Sequence, residues 1–166
     1  IKEGKEVYAM CAPATEGQFG KDISMSAIRV ALKKLGFTDM VEVGLGGDMT
    51  AAYEALEWSE ARKEGKKMTT SCCPAFINLL KIHFPDQYHE NMSETLSPMA
   101  AVSRYLKAIH PDCVTVFIGP CMAKKSESQE MGIEGNADYV LSFGEFSSLL
   151  RSKDVQLEAE VSPYQE

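Results

Sequence analysis

The chain has 166 residues, of which 45% are hydrophobic and 25% are charged, and its formal net charge is −7. This length and composition predict one globular domain with a single core. The acidic balance and the scattered Lys and Arg residues argue against nucleic acid as a partner, because nucleic-acid-binding proteins concentrate positive charge on one face.

The sequence contains no segment suited to a membrane or to secretion. No stretch approaches the roughly 18 uncharged apolar residues of a membrane-spanning helix. The N-terminus also lacks the basic segment and apolar run of a secretory signal. We therefore expect a cytoplasmic protein with no membrane span.

The first half of the chain is typical of two strand–helix units. In chain order, we predict a strand at 6–12, a helix at 24–36, a strand at 40–43, a loop at 44–47 and a helix at 48–63. The strands are short apolar runs, whereas the helices carry apolar residues on one face. Ser24 and Asp48 are of types that cap helix N-termini, and Gly36 is of the type that ends helices.

The second half continues the alternation. In chain order, we predict a strand at 68–71, helices at 74–83 and 97–109, strands at 113–118 and 138–143, and a short helix at 145–152. Pro74 and Pro98 suit the first turn of a helix. Residues 124–135 form the one polar, Gly-containing region long enough for a mobile loop or a lobe boundary. The order of elements predicts an α/β fold, with an open, mostly parallel twisted sheet and helices on both faces.

Cysteines follow three of the predicted strands. Cys11 ends the first strand, Cys72 and Cys73 follow the third, and Cys121 follows the fourth. Ligands of open parallel sheets collect at the carboxyl ends of the strands, so these segments are candidate binding positions, with Cys72, Cys73 and Cys121 as candidate metal ligands. The helix beginning at Pro74 directs N–H groups toward Cys72 and Cys73, which would stabilise an anionic cluster. Burial of both cysteines in a core is the structural alternative.

The cysteine set itself limits the chemistry. Five cysteines, an odd number with two of them adjacent, argue against a secreted disulfide framework. A structural zinc site is disfavoured, because neither the cysteines nor the three histidines have the close spacing of zinc ligands. Reduced thiols or ligands of another metal centre remain.

Charged residues near these cysteines have two explanations each. Lys124, three residues after Cys121, would place a positive charge beside a bound anion, or it is a solvated surface lysine. Glu54 and Glu57 lie three residues apart on one helix and so share a face. They could relay protons, or they form a solvated acidic face in an acidic protein.

Four segments together resemble a known family. They are CAPA at 11–14, GGDMTAAYEALE at 46–57, TSCCPAF at 70–76 and PCMAKKSE at 120–127. The last two resemble the first two cluster-binding signatures of iron-only hydrogenases. The resemblance covers most of the chain up to about residue 127 and is weaker beyond it. It implies that residues 1–127 form the first lobe of that family's catalytic domain, with the connection and the start of the second lobe at 128–166.

The resemblance implies a cofactor and its ligands. That family uses an H-cluster, a 4Fe-4S cubane joined through one cysteine to a di-iron unit, to interconvert dihydrogen with protons and electrons. By position, Cys73 and Cys121 would be cubane ligands, and Lys124 would pair with a cyanide of the di-iron unit. The other positions expected to bind the cofactor are Pro13, Ala14 and Met99.

The resemblance also implies a proton route. Cys72 would be the thiol that carries protons, and the route would continue through Glu54, Ser93 and Glu57. The arginine at its outer end in the family aligns with Ala61, next to Arg62.

Two departures affect what the chain can do. Gly119 and Met99 stand where the family has methionine and glutamine, as in a divergent or hydrogen-sensing branch. The family's third signature, with two further cysteines, has no counterpart in the chain, so we expect the chain alone to bind neither centre and to be inactive. The implied partners are dihydrogen, cofactor maturation proteins, and a ferredoxin-like electron carrier or accessory iron–sulfur domain. The alternatives are a non-enzymatic iron–sulfur cluster carrier and a scaffold domain with vestigial cysteines.

Overall fold

A computed structural model describes residues 4–130 and 132–159. In this part of the chain the elements are β1 (Val7–Cys11), α1 (Met25–Lys34), β2 (Asp39–Glu42), α2 (Gly44–Lys63), α3 (Pro74–His83), α4 (Pro85–Asn91), α5 (Pro98–Ile109), β3 (Val114–Ile118), α6 (Ala123–Ser128), β4 (Tyr139–Leu141) and α7 (Phe143–Ser152). One turn of 3₁₀ helix, Pro13–Thr15, follows β1. Among the helices so described, none has both the length and the apolar composition needed to cross a bilayer.

The four strands form one sheet in the order β2-β1-β3-β4, and every neighbouring pair is parallel. All five residues of β1 are buried, as expected for a central strand covered on both faces. One core cluster packs α1 and α7 against the sheet, and a second packs α5 against its other face. The predicted α/β fold with helices on both faces is therefore confirmed.

The predicted third strand is wrong. Residues 68–71 do not join the sheet, and Thr69 forms only an isolated parallel bridge with Met92. Its N–H donates to the Asn91 carbonyl at 2.7 Å, and its carbonyl accepts from the Ser93 N–H at 2.9 Å. The segment thus pairs with another connecting segment, because both lie outside the four-stranded ladder.

Two regions that the sequence predicts as loops overlap helices in the structure. Gly44 starts α2, so the predicted loop at 44–47 and the predicted cap at Asp48 are wrong. Helical hydrogen bonding already operates there, since the Gly47 N–H donates to the Val43 carbonyl at 3.1 Å. The polar region at 124–135 likewise overlaps α6. Beyond this region, β4 pairs with β3 in the same sheet. The predicted start of a second lobe at residue 128 stays a prediction.

The order in which strands are added to the sheet reverses at its centre. The chain passes from β1 to β2 on one side and later to β3 on the other, which opens a crevice at the carboxyl ends of β1 and β3. Just beyond these ends, the Ala12 N–H donates to the Ile118 carbonyl at 2.9 Å. A Cβ on Gly119 would lie 2.7 Å from the Phe117 ring and 3.0 Å from the Ala12 Cβ. Only glycine allows these two loops to approach so closely.

Candidate functional site

The 3₁₀ turn after β1 lies at this crevice. Pro13 and Ala14 are exposed on it, whereas Thr15 is wholly buried. The Thr15 Oγ1 has no hydrogen-bond partner among the residues described. A buried polar atom without a partner is unusual in a folded protein. Because Pro13 and Ala14 are exposed, a bound group can contact them, as their predicted role requires.

The paired cysteines lie at the start of α3. Cys73 is the N-cap residue of this helix, and its side chain makes no capping hydrogen bond. It is exposed, whereas Cys72 is half-buried. The Cys72 N–H donates to Thr70 Oγ1 at 3.3 Å, which fixes the backbone before the helix. Both thiols are therefore outside the core, and the alternative of two buried core cysteines is wrong.

Lys124 joins the two cysteine segments. Its side chain is buried, with the residue only 8% exposed, so the alternative of a solvated surface lysine is wrong. The ammonium donates to the Cys72 carbonyl at 3.3 Å and to a Glu127 carboxylate oxygen at 2.6 Å. The Lys124 N–H donates to the carbonyl of Cys121, whose side chain is half-buried. The ammonium of Lys124 is thus held at the Cys72 backbone, while the Lys124 backbone is bonded to that of Cys121 just beyond β3.

Glu127 is a site residue that the sequence interpretation missed. It is only 6% exposed, and its second carboxylate oxygen accepts a hydrogen bond from the Ser97 hydroxyl at the N-cap of α5. Its carbonyl accepts from Asn136 Nδ2 at 2.6 Å. The i,i+3 spacing of Lys124 and Glu127 is a signal that could have identified the pair.

Glu54 holds the segment that leads to Cys72. Its Oε1 accepts from Thr70 Oγ1 at 2.7 Å and from the Ser71 N–H at 2.9 Å. Its Oε2 has no hydrogen bond within the described residues. Thr70 and Ser71 are therefore contacts of the site that the sequence interpretation did not single out, although both lie in the TSCCPAF segment. Glu54 is positioned by the protein and is not merely a solvated charge.

Glu57 holds the neighbouring segment. Its carboxylate accepts from Ser93 Oγ at 2.6 Å, from the Glu94 N–H at 2.9 Å and from Thr95 Oγ1 at 3.1 Å. Burial raises the pKa of Glu57, but these three hydrogen bonds to its charged form outweigh burial and hold the pKa below its usual value. Like Glu54, Glu57 is therefore more than a solvated charge.

The two carboxylates belong to adjacent hydrogen-bonded groups. No hydrogen bond joins Glu54 to Ser93 in the part of the chain that the structure describes. The groups are connected instead through Ser71, whose N–H donates to Glu54 and whose hydroxyl donates to the Thr95 carbonyl. The structure thus brings the predicted route residues together without a continuous side-chain chain between them.

The two remaining predicted positions differ in surroundings. Met99 is completely buried in the core between α5 and the sheet, in the cluster that contains Met10 and Phe117. Arg62 lies on the exposed part of α2, with its guanidinium carbon 5.2 Å from the centre of the Trp58 ring. The arginine nearest to the predicted outer end of the route is therefore held by an aromatic ring.

The donors present fit part of an iron–sulfur ligand set. No group of three or more His, Cys, Asp or Glu residues in the described ranges could hold a metal ion. Cys73 and Cys121 are two accessible thiols, and a 4Fe-4S cluster is held by four. A cubane at this crevice would therefore take its other ligands from outside this chain.

We expect the five cysteines to divide sharply in alkylation. Burial raises the pKa of Cys11 to about 12, with the nearby Glu42 charge adding to it, and burial also raises the pKa of Cys113. Both should stay unlabelled by iodoacetamide at about pH 8, because the thiolate is the reactive form. Exposed Cys73 should react first. Peptide mass spectrometry of native and denatured protein measures the rates, and native labelling of Cys11 as fast as Cys73 would contradict this.

Comparison with known proteins identifies the same family that the cysteine-containing segments resemble. The sequence profile described as "Iron only hydrogenase large subunit, C-terminal domain" matches residues 5–166. "Iron hydrogenase 1" of Clostridium pasteurianum is 25% identical over 91% of this chain and 30% of that protein. The apo FeFe-hydrogenase HydA1 of Chlamydomonas reinhardtii superposes with a TM-score of 0.78 at 26% identity, covering 92% of this chain and 44% of that one.

A structure of HydA(deltaEFG) that describes stepwise assembly of the FeFe-hydrogenase H-cluster has a TM-score of 0.77 at 26% identity, covering 92% of this chain and 43% of that one. The chain thus spans less than half of these solved relatives and 30% of the curated one. Because the profile covers nearly all of the sequence, the chain belongs to the iron-only hydrogenase large-subunit family and is a part of its C-terminal, catalytic domain.

Proposed function

We propose that the protein containing this chain interconverts dihydrogen with protons and electrons at an H-cluster, of which this chain forms one wall. The observation that carries the proposal is the buried Lys124, which contacts the Cys72 backbone through its ammonium and the Cys121 backbone through its N–H, near the carboxyl ends of β1 and β3. A buried cation that contacts the Cys72 backbone suits an anionic cluster held by the neighbouring thiols. When bound, the cluster would supply the iron centres for hydrogen chemistry and electron transfer.

The residues of the chain take separate binding roles in this proposal. Cys73 and Cys121 would ligate the cubane, and the Lys124 ammonium would hold an anionic ligand of the di-iron unit. Pro13 and Ala14 would line the unit from their exposed turn. Met99 would lie behind the residues that line the unit, because its side chain is buried in the core. The remaining ligands, together with an electron carrier or accessory iron–sulfur domain and the maturation proteins, would come from outside the chain.

Other residues would move protons. The half-buried Cys72 thiol would exchange a proton with the site, and the Glu54 Oε2, which has no hydrogen bond within the described residues, would receive it. Ser93 and Glu57, joined at 2.6 Å, would carry it outward. Because no direct hydrogen bond links Glu54 to Ser93, a water molecule or a side-chain movement would complete this step.

The test is Cys72→Ala in the full-length protein, matured with its cofactor. We expect loss of hydrogen turnover by at least about 100-fold, the scale of a lost general acid–base group, with iron content and the infrared bands of bound carbonyl and cyanide retained. Cys113→Ala is the matched control, since this thiol is buried between α5 and β3, away from the site. Full turnover in a matured Cys72→Ala protein would remove the role of this thiol.

The same experiment separates the alternatives. A non-enzymatic cluster carrier would give iron–sulfur absorption without carbonyl and cyanide bands. A scaffold with vestigial cysteines would give neither. A hydrogen-sensing protein would show the bands and bind hydrogen with little turnover. Retention of Cys72 and of the buried Lys124 favours the hydrogen-activating reading.

A further inference from the structure

Tyr8 is a buried titratable residue that the proposed function does not use. It is the second residue of β1, only 7% exposed, and it belongs to the core cluster that packs α5 against the sheet. At about 3.3 Å per residue, the strand places Tyr8 roughly 10 Å from Cys11, the last residue of β1. Tyr8 therefore lies toward the amino end of the strand, away from the crevice.

The Tyr8 hydroxyl contacts a histidine that is itself held by a carboxylate. Tyr8 Oη lies 3.1 Å from His110 Nε2, and His110 Nδ1 lies 3.2 Å from a Glu6 carboxylate oxygen. The Tyr8 and His110 rings also stack, with 4.8 Å between their centroids. The His110 and Glu6 side chains are 35% and 53% exposed. The three side chains thus form a row that leads from the core to solvent.

Backbone hydrogen bonds hold this row in place. The Cys113 N–H donates to the His110 carbonyl at 3.0 Å, and the Val114 N–H donates to the Glu6 carbonyl at 2.8 Å. The histidine and the carboxylate are therefore both tied to the start of β3, which is the neighbour of β1 in the sheet. The main chain thus positions all three side chains relative to one another.

The contacts define the direction in which a proton can move. A carboxylate only accepts hydrogen bonds, so His110 Nδ1 carries the ring proton that faces Glu6. In the neutral imidazole, Nε2 is then the acceptor, and the Tyr8 hydroxyl donates to it. Burial raises the pKa of Tyr8, so the residue keeps its proton at neutral pH. The neighbours that add to this rise in pKa are Glu6, Cys113 and Asp39.

We propose that Tyr8 is a redox-active tyrosine that reacts with one-electron oxidants. A phenol loses an electron readily only when its proton has an acceptor, because the phenol radical cation is a strong acid. An oxidant such as the hydroxyl radical takes one electron and becomes hydroxide, while the phenol O–H bond breaks and its proton moves to His110 Nε2. A neutral tyrosyl radical remains, next to an imidazolium that Glu6 stabilises. The imidazolium then releases its extra proton to solvent, where it converts the hydroxide to water.

The other tyrosines in the described ranges lack this arrangement. Tyr53, Tyr105 and Tyr139 are exposed. Tyr88 is the nearest comparison, because its ring lies against His89 with 5.1 Å between the centroids. No hydrogen bond joins Tyr88 to His89 in the part of the chain that the structure describes. Tyr88 therefore supplies a tyrosine–histidine pair without the proton contact.

The test uses the unmatured full-length protein and a photogenerated ruthenium(III) polypyridyl complex as the oxidant. EPR and transient absorption should detect a tyrosyl radical that outlives those of exposed tyrosines, which are lost by coupling with one another. Tyr8→Phe removes only the hydroxyl and should abolish this long-lived signal, whereas the control Tyr88→Phe should retain it. Because no cofactor is present, the result is independent of hydrogen turnover.

Replacement of the histidine tests the path of the proton. His110→Gln keeps a hydrogen-bonding side chain that takes up no proton, and it should slow formation of the Tyr8 radical by about 100-fold, the scale of a lost proton acceptor. With His110 present, formation should also slow in acid, because the protonated ring has no free lone pair. This dependence should disappear in His110→Gln, although the other titratable groups facing Tyr8 remain: Glu6, Asp39 and Cys113.

Three results would overturn the inference, and none of them bears on the proposed function. The first is the absence of a long-lived tyrosyl radical in the parent protein. The second is a long-lived signal that persists in Tyr8→Phe. The third is an unchanged rate of formation in His110→Gln, which would show that the phenol proton does not pass to this histidine. The last variant leaves the Tyr8 ring in the core, so it decides the question even if Tyr8→Phe does not fold.

Discussion

Gly46→Ala is expected to destabilise the protein by about 2–3 kcal/mol, the upper part of the range for overpacked cores. A Cβ on Gly46 would lie 2.2 Å from the Pro98 carbonyl oxygen and 2.7 Å from Val102 Cγ2. The first of these is a backbone atom at the start of α5, so it cannot move away as a flexible side chain does. The two helices would have to separate.

Gly47→Ala is the matched control in the same helix turn. A Cβ there meets no atom within 4 Å. This substitution should be neutral or should stabilise by up to about 1 kcal/mol, because alanine has the higher helix propensity. Urea denaturation of both variants measures the difference in the free energy of unfolding. Equal stabilities would show that α2 and α5 can separate freely.

This close approach matters for the site because α2 carries Glu54 and Glu57. Their hydrogen bonds to Thr70 and Ser93 are 2.7 and 2.6 Å long, so a displaced helix would lengthen them. We therefore expect Gly46→Ala to lower the activity of the parent protein by more than the loss of folded protein accounts for.

The same glycine explains why α2 begins earlier than the sequence pattern predicts. Glycine has a low helix propensity, so the glycine-rich run at 44–47 predicts a loop. Packing overrides propensity here, since only glycine fits at Gly46 beneath Pro98. Local signals succeeded where local chemistry decides: Ser24 caps α1 by accepting the Ala27 N–H, and Ser97 caps α5 by accepting the Ala100 N–H.

Non-local pairing limits the prediction in other places. Residues 68–71 lie between a helix and the cysteine pair, where the alternation of helices and strands predicts a strand of the sheet. Their partner is the segment around Met92, more than 20 residues later, and the bridge between them is isolated. A periodicity argument has no information on such a partner, because it considers only neighbours along the chain.

In the candidate site too, features set by local sequence are predictable, whereas features set by distant parts of the chain are not. Cys121 is identifiable because it follows β3, whose carboxyl end lies at the edge where parallel sheets bind ligands, whereas Cys72 and Cys73 follow a segment that does not join the sheet. The burial of Lys124 is not identifiable from the sequence, since AKKSES is a polar segment. Its ammonium is held by the Cys72 carbonyl and by Glu127, and Glu127 is fixed in turn by Ser97 and Asn136. Thr70 and Ser71 gave no signal of their own beyond belonging to a recognisable segment.

Glu127→Gln is expected to reduce the free energy of unfolding by about 3–5 kcal/mol, the cost of breaking a buried ion pair from one side. The substitution keeps the shape of the side chain but removes its charge. The Lys124 ammonium, whose side chain is only 11% exposed, would then lack its counter-charge. The effect should exceed that of any single neutral hydrogen bond in the region.

Glu130→Gln provides the matched control three residues further on. Glu130 forms an ion pair with Lys81 at 2.6 Å, but their side chains are 44% and 32% exposed. Solvent screens such a pair, so its loss should cost no more than about 1 kcal/mol. Comparing the two variants by urea denaturation isolates the contribution of burial from that of charge removal.

A paired replacement distinguishes the missing counter-charge from lost packing. Lys124→Met together with Glu127→Leu removes both charges, and buried ion pairs replaced by apolar residues of similar size often lose little stability. We expect the double variant to be more stable than Glu127→Gln alone. It should nevertheless fail to retain the cofactor in the full-length protein, because the cation between the cysteine segments is gone. If Glu127→Gln is no less stable than Glu130→Gln, the buried pair does not hold Lys124 in place, and the cation must be fixed by the Cys72 carbonyl alone.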